Sequence, residues 1–292
     1  MDKVQPQITV IIPIYQHWEL TETLFSALAK QTLPKSNWEC LIVDNGSDAV
    51  PASESLPDFI TLLECPQPGS YAARNRAIED ARGELLVFTD ADCRPNPDWL
   101  EIIYSEYQSH SVPTLIAGGV TVLRFDHKKP NKIEAFDMAT GLPQERYTRR
   151  GYAVTANLSV PRNVFSSVGP FDDQRFSGGD AEFCQRAGRA GVPLVYIPEA
   201  NVDHPARNSW EELATKLKRV KGGQVRSGPL KRRMKFIIKT FIPPVWAYWF
   251  VISSHKITPL QKIASLLIQT RLWLVEIATT VKVLTSGKVE RR

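Results

Sequence analysis

Two aspartates two residues apart, Asp90 and Asp92 in the string FTDADC (Phe88 to Cys93), are the side chains of this sequence best suited to chemistry. Hard carboxylate oxygens at that spacing suit Mg2+ or Mn2+, and a cation so held suits a diphosphate. The same residues admit a plainer reading, because aspartate also caps helices and Pro95 to Trp99 could open one. A second acidic pair, Asp180 and Glu182, follows the glycines Gly178 and Gly179 in GGDAEF, ahead of Phe183, Ala187 and Ala190 on one helical face. Asp180 reads either as a helix cap with Glu182 complementing the dipole, or as a general base beside backbone that lets an acceptor approach closely. His204 ends a short apolar run and is either structural or a further metal ligand.

Alternating elements position these residues. Ile8 to Ile12 (ITVII) reads as a strand closed by Pro13, and Glu19 to Lys30 has helical apolar spacing. Glu39 to Val43 is a second strand ending in DNGSD (Asp44 to Asp48), and Thr61 to Leu63 sits in a weaker third. A helix over Ser70 to Ala81 carries Arg74, and the strand Leu85 to Phe88 leads into Asp90. Strand and helix in turn predict a doubly wound, mostly parallel α/β sheet flanked by helices. The polar loops at Pro13 to His17, Asp44 to Asp48 and Asp90 to Arg94 then share one edge and one crevice. No G-x-G-x-x-G string is present, so a dinucleotide fold is disfavoured and a nucleotide bridged through a metal is favoured.

Further along, Leu115 to Leu123 reads as a strand, Lys132 to Thr140 as a helix, Arg146 to Arg150 as an exposed basic loop and Val154 to Val160 as a strand. Val168 to Asp173 reads as a turn, and Leu194 to Ile197 as a strand leading to Val202, Asp203 and His204. The 292 residues, 43% hydrophobic, are ample for a buried core. Four scattered cysteines fit neither a zinc pattern nor a disulfide scaffold, which suits a reducing compartment. The opening MDKVQPQITVIIP reads as a first strand and not a secretory signal, so the expected location is cytoplasmic.

Several motifs in order resemble the inverting family 2 glycosyltransferases of GT-A fold: VIIPIYQ (Val10 to Gln16), LIVDNGSD (Leu41 to Asp48), the run from Gly69 to Cys93, and GGDAEF. The resemblance covers roughly Ile8 to His204. It implies a nucleotide-diphosphate sugar as donor, a UDP-sugar in the first instance, a hydroxyl acceptor, and Mn2+ or Mg2+ as cofactor. Pro13 and Tyr15 would line the nucleotide pocket, with Asp44 and Asn45 near the base; family members often carry a second acid where Asn45 stands. Arg74 would lie near the diphosphate. Asp92 would be the main metal ligand, Asp90 would serve ribose or metal, and His204 would be an additional ligand. Asp180 matches the base of the family's ED motif, whose first acid is Gly179 here, with Glu182 supporting it. The readings from other classes are a nucleotidyltransferase of similar fold and a non-catalytic nucleotide-sugar-binding membrane module, the latter suggested by Gly179.

Charge separates the chain into two parts. Residues 1–204 hold 18 Lys plus Arg against 27 Asp plus Glu, and residues 205–292 hold 18 against 4. The expected division is therefore a catalytic domain over 1–204, with a nucleotide-sugar-binding half of about 1–95 and an acceptor half of about 96–204, and a basic helical extension over 205–292. Ser209 and Glu212 read as a capping box opening a helix with Lys216, Lys218, Arg219 and Lys221 near its end, and Gly222, Gly223 and Gly228-Pro229 as breaks. The apolar segment Phe236 to Ile252 is interrupted by Lys239 and Pro243-Pro244, and Ile263 to Leu284 carries Arg271, Glu276 and Lys282. Both are poor spanning helices, and basic residues beside Trp246, Tyr248, Trp249 and Phe250 suit an anionic membrane surface. No nucleic-acid module accompanies the charge, so nucleic acid is not an expected partner. The alternative is that these helices pack on the catalytic domain with solvated basic faces. The membrane reading makes the protein peripheral or monotopic on the inner face of the cell membrane, acting on a lipid-linked or cell-surface polysaccharide acceptor.

Overall fold

The structure, a computed structural model, describes residues 5–126, 128–175 and 177–286. Asp2 and Lys3, on which the reading of the N-terminus leans, and Phe176 before the glycine pair lie outside the described residues. The chain opens with β1 (Ile8–Ile14), α1 (Thr21–Ala29), β2 (Trp38–Asp44), β3 (Ile60–Glu64), α2 (Ser70–Asp80) and β4 (Leu85–Thr89). It continues through β5 (Arg94–Pro95), α3 (Trp99–Ser109), β6 (Leu115–Leu123), α4 (Lys132–Thr140), α5 (Gln144–Thr148), β7 (Asn157–Pro161), α6 (Arg162–Val168), α7 (Gly179–Arg189) and β8 (Leu194–Pro205). Four helices close it: α8 (Trp210–Arg226), α9 (Leu230–Thr240), α10 (Val245–Ser253) and α11 (Pro259–Ser286).

All eight strands form one sheet in the order β3-β2-β1-β4-β7-β6-β8-β5. The first four run parallel, with Ile14 opposite Asp44 and Ile11 opposite Phe88. β1 and β4 are apolar almost throughout because helices cover both faces of a parallel sheet. Beyond β4 the sheet turns antiparallel: β7 pairs with β4, β6 with β7, and β5 with β8. The result is a mixed α/β fold rather than a parallel sheet throughout.

Local chemistry moved several boundaries. The basic stretch from Arg146, expected as a loop, begins inside α5. The buried Gln144 there accepts the Val154 N–H at 3.0 Å and donates to the Asn157 carbonyl at 2.8 Å. That clasp also holds residues 154–156 out of the ladder, so β7 starts at Asn157 and not at Val154.

Packing divides the chain into two compact units. The first comprises residues 1–121, 143–173 and 179–204, and the second 122–142, 174–178 and 205–292, so the basic C-terminal region is joined by two inserts from the preceding chain. In the first unit, Ile11, Val43, Leu86, Phe88 and Leu158 of the sheet meet Ala73 and Ala77 of α2 and Phe165, Phe183 and Ala187 of α6 and α7. All four cysteines are buried and free.

In the second unit, Asn131 and Glu134 form a complete capping box for α4. The box expected at α8 is half made: Ser209 caps the Glu212 N–H at 3.2 Å, but Glu212 reaches back to the Asn208 N–H. Gly222 and Gly223, expected as breaks, lie inside α8 and are buried, so tertiary packing offsets the roughly 1 kcal/mol that each glycine costs a helix. Lys221, expected among the basic residues near the end of that helix, is also buried: its ammonium bonds Thr240 Oγ1 at 2.8 Å and ion-pairs with Glu276, joining α8, α9 and α11. Arg271 stacks on Trp210 at 3.8 Å. Among the described residues no single helix is long and apolar enough to cross a membrane.

Removing one partner of a buried ion pair strands the other charge. Glu276→Gln should therefore lower stability by about 3 kcal/mol, and Lys221→Met added to it should recover most of the loss; urea denaturation of both variants measures this.

Candidate active site

The parallel half of the sheet grows first towards β3, then crosses back to add β4 beside β1. At such a switch point a crevice opens outside the C-terminal strand ends. Asp90 follows β4 directly, and Asp92 lies two residues further. The antiparallel pairing of β5 with β8 sets Arg94 opposite Asp203, so the residues just before one lie beside those just after the other. Asp92 thereby meets His204, whose Nε2 stands 3.7 Å from Asp92 Oδ2. Asp90, Asp92 and His204 each offer one ligand atom, all within 4.8 Å of one another. Two hard oxygens and one imidazole nitrogen so gathered suit a divalent metal ion. Arg74, buried on α2, takes the other side of Asp90 with Nη2 at 2.7 Å from Oδ1. Its buried Nε has no acceptor among the described residues.

Asp180 is the second residue of α7, inside the helix rather than capping it. Its Oδ1 accepts the Ala181 N–H at 2.8 Å and the Tyr71 hydroxyl at 3.3 Å. The Tyr71 oxygen in turn accepts the Gly179 N–H at 2.9 Å, so one hydroxyl satisfies an orphan helix donor and orients the carboxylate. Burial pushes the Asp180 carboxyl above the usual range, opposed chiefly by the Ala181 N–H and the Arg74 charge. Burial, and then the Asp180 charge, push the Tyr71 phenol up, so it stays protonated at neutral pH. Asp180 as a residue remains partly accessible.

An aromatic floor fixes this pair. Phe183, one turn beyond Asp180, packs on Phe171 at 4.7 Å and Phe165 at 4.8 Å, and Phe171 lies 5.9 Å from Tyr71. Glu182 does not bond Asp180. It pairs with Arg186 at 3.0 Å, and Arg186 also donates to the carbonyls of Val168, Gly169 and Pro170, tying α7 to the turn that carries Phe171.

Pro13, Tyr15, Asp44 and Asn45 stand at the neighbouring strand ends. Pro13 is partly buried in β1, and Tyr15 is 41% exposed. Asp44 is nearly sealed; its Oδ2 accepts the Gly46 and Ser47 N–H groups and its Oδ1 the Trp18 indole. Asn45 donates to the Cys65 and Gln67 carbonyls and accepts the Gly69 N–H at 2.7 Å, engaging both of its amide hydrogens within the chain. Gln16 and His17 both adopt φ 54°, a left-handed conformation rare for such residues, and the Gln16 N–H donates to Ser47 Oγ at 2.7 Å.

Two features of this crevice escaped the sequence reading: the strained pair at Gln16 and His17, and Tyr71. Tyr71 was findable, since it stands three residues before Arg74 and so shares its helical face. It also explains the departure at Gly179. A Cβ on Gly179 would lie 2.7 Å from the Tyr71 ring, so ring and side chain exclude each other.

A mixed sheet with carboxylates at its switch point and a second acid at a helix start fits the class of GT-A glycosyltransferases. The sequence model for glycosyl transferase family 2 matches residues 9–166. Glycosyltransferase AglE of Haloferax volcanii is 37% identical over 242 residues, covering 80% of this chain and 77% of its own. The succinoglycan biosynthesis protein ExoM of Rhizobium meliloti is 27% identical over 78% of this chain and 74% of its own. Among solved structures, the mannosyltransferase PcManGT from Pyrobaculum calidifontis, in complex with GDP-Man and Mn2+, superposes with a TM-score of 0.61 at 18% identity, over 97% of this chain and 88% of that one. The chain belongs to glycosyl transferase family 2.

The contact between Gly179 and Tyr71 is testable by a double-mutant cycle. Gly179→Glu should lower the melting temperature markedly, with overpacking costing roughly 1–3 kcal/mol, and it should cost much less when combined with Tyr71→Ala. Additive losses in thermal melts would remove the steric explanation.

Proposed function

We propose that this glycosyltransferase moves a sugar from a nucleoside-diphosphate sugar to a hydroxyl acceptor with inversion at the anomeric carbon, with Asp180 as the general base. The observation that carries this reading is a carboxylate of raised proton affinity on a partly accessible residue, oriented by Tyr71 and electrostatically coupled to Arg74 and Asp90 of the metal-suited cluster. Asp180 takes the proton of the acceptor hydroxyl while that oxygen forms the bond to the anomeric carbon. The bond to the diphosphate breaks on the opposite face, and its electron pair leaves on the phosphate oxygen. Tyr71 is a positioning residue: it holds the unprotonated carboxylate towards the crevice and gives up no proton.

Asp92 would be the principal metal ligand, with His204 beside it and Asp90 sharing its carboxylate between Arg74 and the ion or the ribose. A bound Mn2+ or Mg2+ would neutralise the departing diphosphate. Arg74 adds a fixed positive charge there. Mn2+ is the ion in the PcManGT complex, which supports its use here. Tyr15 and Pro13 would border the nucleotide, Asp44 would lie near its base, and Asn45 would act through the 65–69 loop it clasps. UDP-sugars are the first donors to test, with GDP-mannose beside them. The Gly179 departure, the feature favouring a non-catalytic module, is accounted for by the Tyr71 ring. A lipid-linked or polysaccharide acceptor at the inner membrane face is supported by the likeness to a succinoglycan biosynthesis protein and by the basic second unit.

Asp180→Asn should abolish transfer while keeping both hydrogen bonds to Oδ1. The folded pKa of Asp180 is raised, so its charged form disfavours the native state, and the stability gained by Asp180→Asn should grow as pH rises through that pKa. For the wild type, kcat/KM should climb with pH across the same interval and level off above it, since only the carboxylate accepts a proton. A rate that titrates with an ordinary carboxylate pKa, or normal turnover by Asp180→Asn, would reject Asp180 as the base.

Chelation should stop turnover, and Mn2+ should restore it in the wild type but not in Asp92→Ala. A thermal-shift screen of UDP- and GDP-sugars with Mn2+ should identify the donor as the ligand that raises the melting temperature. Pyrophosphate among the products would transfer the assignment to nucleotidyl chemistry.

A further inference from the structure

We infer that the elbow between α9 and α10 is a bilayer-inserting wedge, and that it seats the second unit on an anionic lipid surface without spanning it. This rests on the reading that the enzyme works at a membrane face, and it names the surface that does so.

One face of α9 is pinned within the second unit: the Arg233 Nε donates to the Val225 carbonyl, Thr240 meets Lys221, and the Trp273 indole donates to the Thr240 carbonyl. The other face carries two adjacent exposed rows at four-residue spacing. Leu230, Met234 and Ile238 form an apolar ridge, and Lys231, Lys235 and Lys239 form a cationic one. Side by side on one helix, these rows match an interface that is acyl chain at one depth and anionic headgroup at the next.

The apolar ridge runs on into the elbow, where α9 and α10 meet at 66°. Phe241 and Ile242 are exposed there, and Val245, Trp246 and Trp249 on the first turns of α10 are 67%, 74% and 58% exposed. Backbone polarity does not oppose insertion. Phe241, Ile242, Val245 and Ala247 donate their N–H groups to Ile238, Lys239, Pro243 and Pro244, and the two prolines have none to satisfy. A turn that presents large apolar side chains and almost no free donors is built for a medium without water. Neither helix alone is long and apolar enough to cross, and the 66° bend breaks the axis of the pair.

The acid that would oppose this placement is neutralised by a buried ammonium. Glu276 is paired with Lys221 and Arg271 lies on Trp210, while the outer face of α11 carries Leu260, Ile263, Leu267 and Leu274.

Co-sedimentation of the full chain with vesicles of phosphatidylglycerol and phosphatidylcholine in equal parts tests the wedge. The wild type should bind these vesicles and bind pure phosphatidylcholine more weakly. Lys231→Gln, Lys235→Gln and Lys239→Gln together should weaken binding roughly a hundredfold at low salt, about fivefold per lysine. Trp246→Ser with Trp249→Ser should leave low-salt binding but make it vanish at high salt, because only the electrostatic part remains. Lipids brominated on their acyl chains should quench the wild-type tryptophan emission and leave the double serine variant largely unquenched. Absent binding, or equal quenching in both proteins, overturns the wedge. So does a dimer in light scattering that Trp246→Glu dissociates, which would assign the surface to a second copy of the chain. The melting-temperature rise with UDP and Mn2+ is unaffected by these substitutions, so failure of the wedge and failure of the nucleotide-site reading give separate results.

Discussion

Three carboxylates gathered at one partly desolvated crevice set the problem that the rest of the site solves. Asp90 repels both its neighbour Asp92 and Asp180, and low effective dielectric strengthens that repulsion. Each has a partner of different character: a guanidinium for Asp90, an imidazole for Asp92 and a neutral phenol for Asp180. The differences matter chemically. The guanidinium bonds Asp90, the imidazole stands beside Asp92, and the phenol orients Asp180 without neutralising it. Three arginines would have made a quieter site and a useless one, since a base must be willing to take a proton.

The supports for these partners come from distant parts of the chain. The switch in strand order delivers Asp90 and Asp92, the short β5–β8 pairing delivers His204, and the aromatic floor under α7 delivers Asp180. Glu182 and Arg186 fasten that floor from outside. The second unit follows a different logic, with a buried ammonium at the junction of three helices and its apolar side chains turned outward around the elbow.

Much of the parallel half was legible because its signals are local. Short apolar runs closed by proline or an acid read as buried strands, and four of them interspersed with helices leave few topologies. The antiparallel half was less legible. α5 forms because Gln144 finds carbonyl and N–H partners ten and thirteen residues away, which no local pattern announces. Gly222 and Gly223 read as breaks because propensity is local too, and burial overrode it. Lys221 and Glu276 looked like surface charges for the same reason: their partners are distant in sequence. In the site, residue types identified the acids, but the missing acid at Gly179 made sense only once the Tyr71 ring was seen in its space.

Tyr71 and Arg74 lie three residues apart on α2, so one rigid element carries the partners of both Asp180 and Asp90. A shift of that helix alters both at once. In the proposed mechanism, a change in donor binding through α2 would therefore also retune the proton transfer, and the two properties would evolve as a linked pair. Variation in donor preference meets less resistance in the 15–17 loop, which is anchored through Ser47 and not through α2.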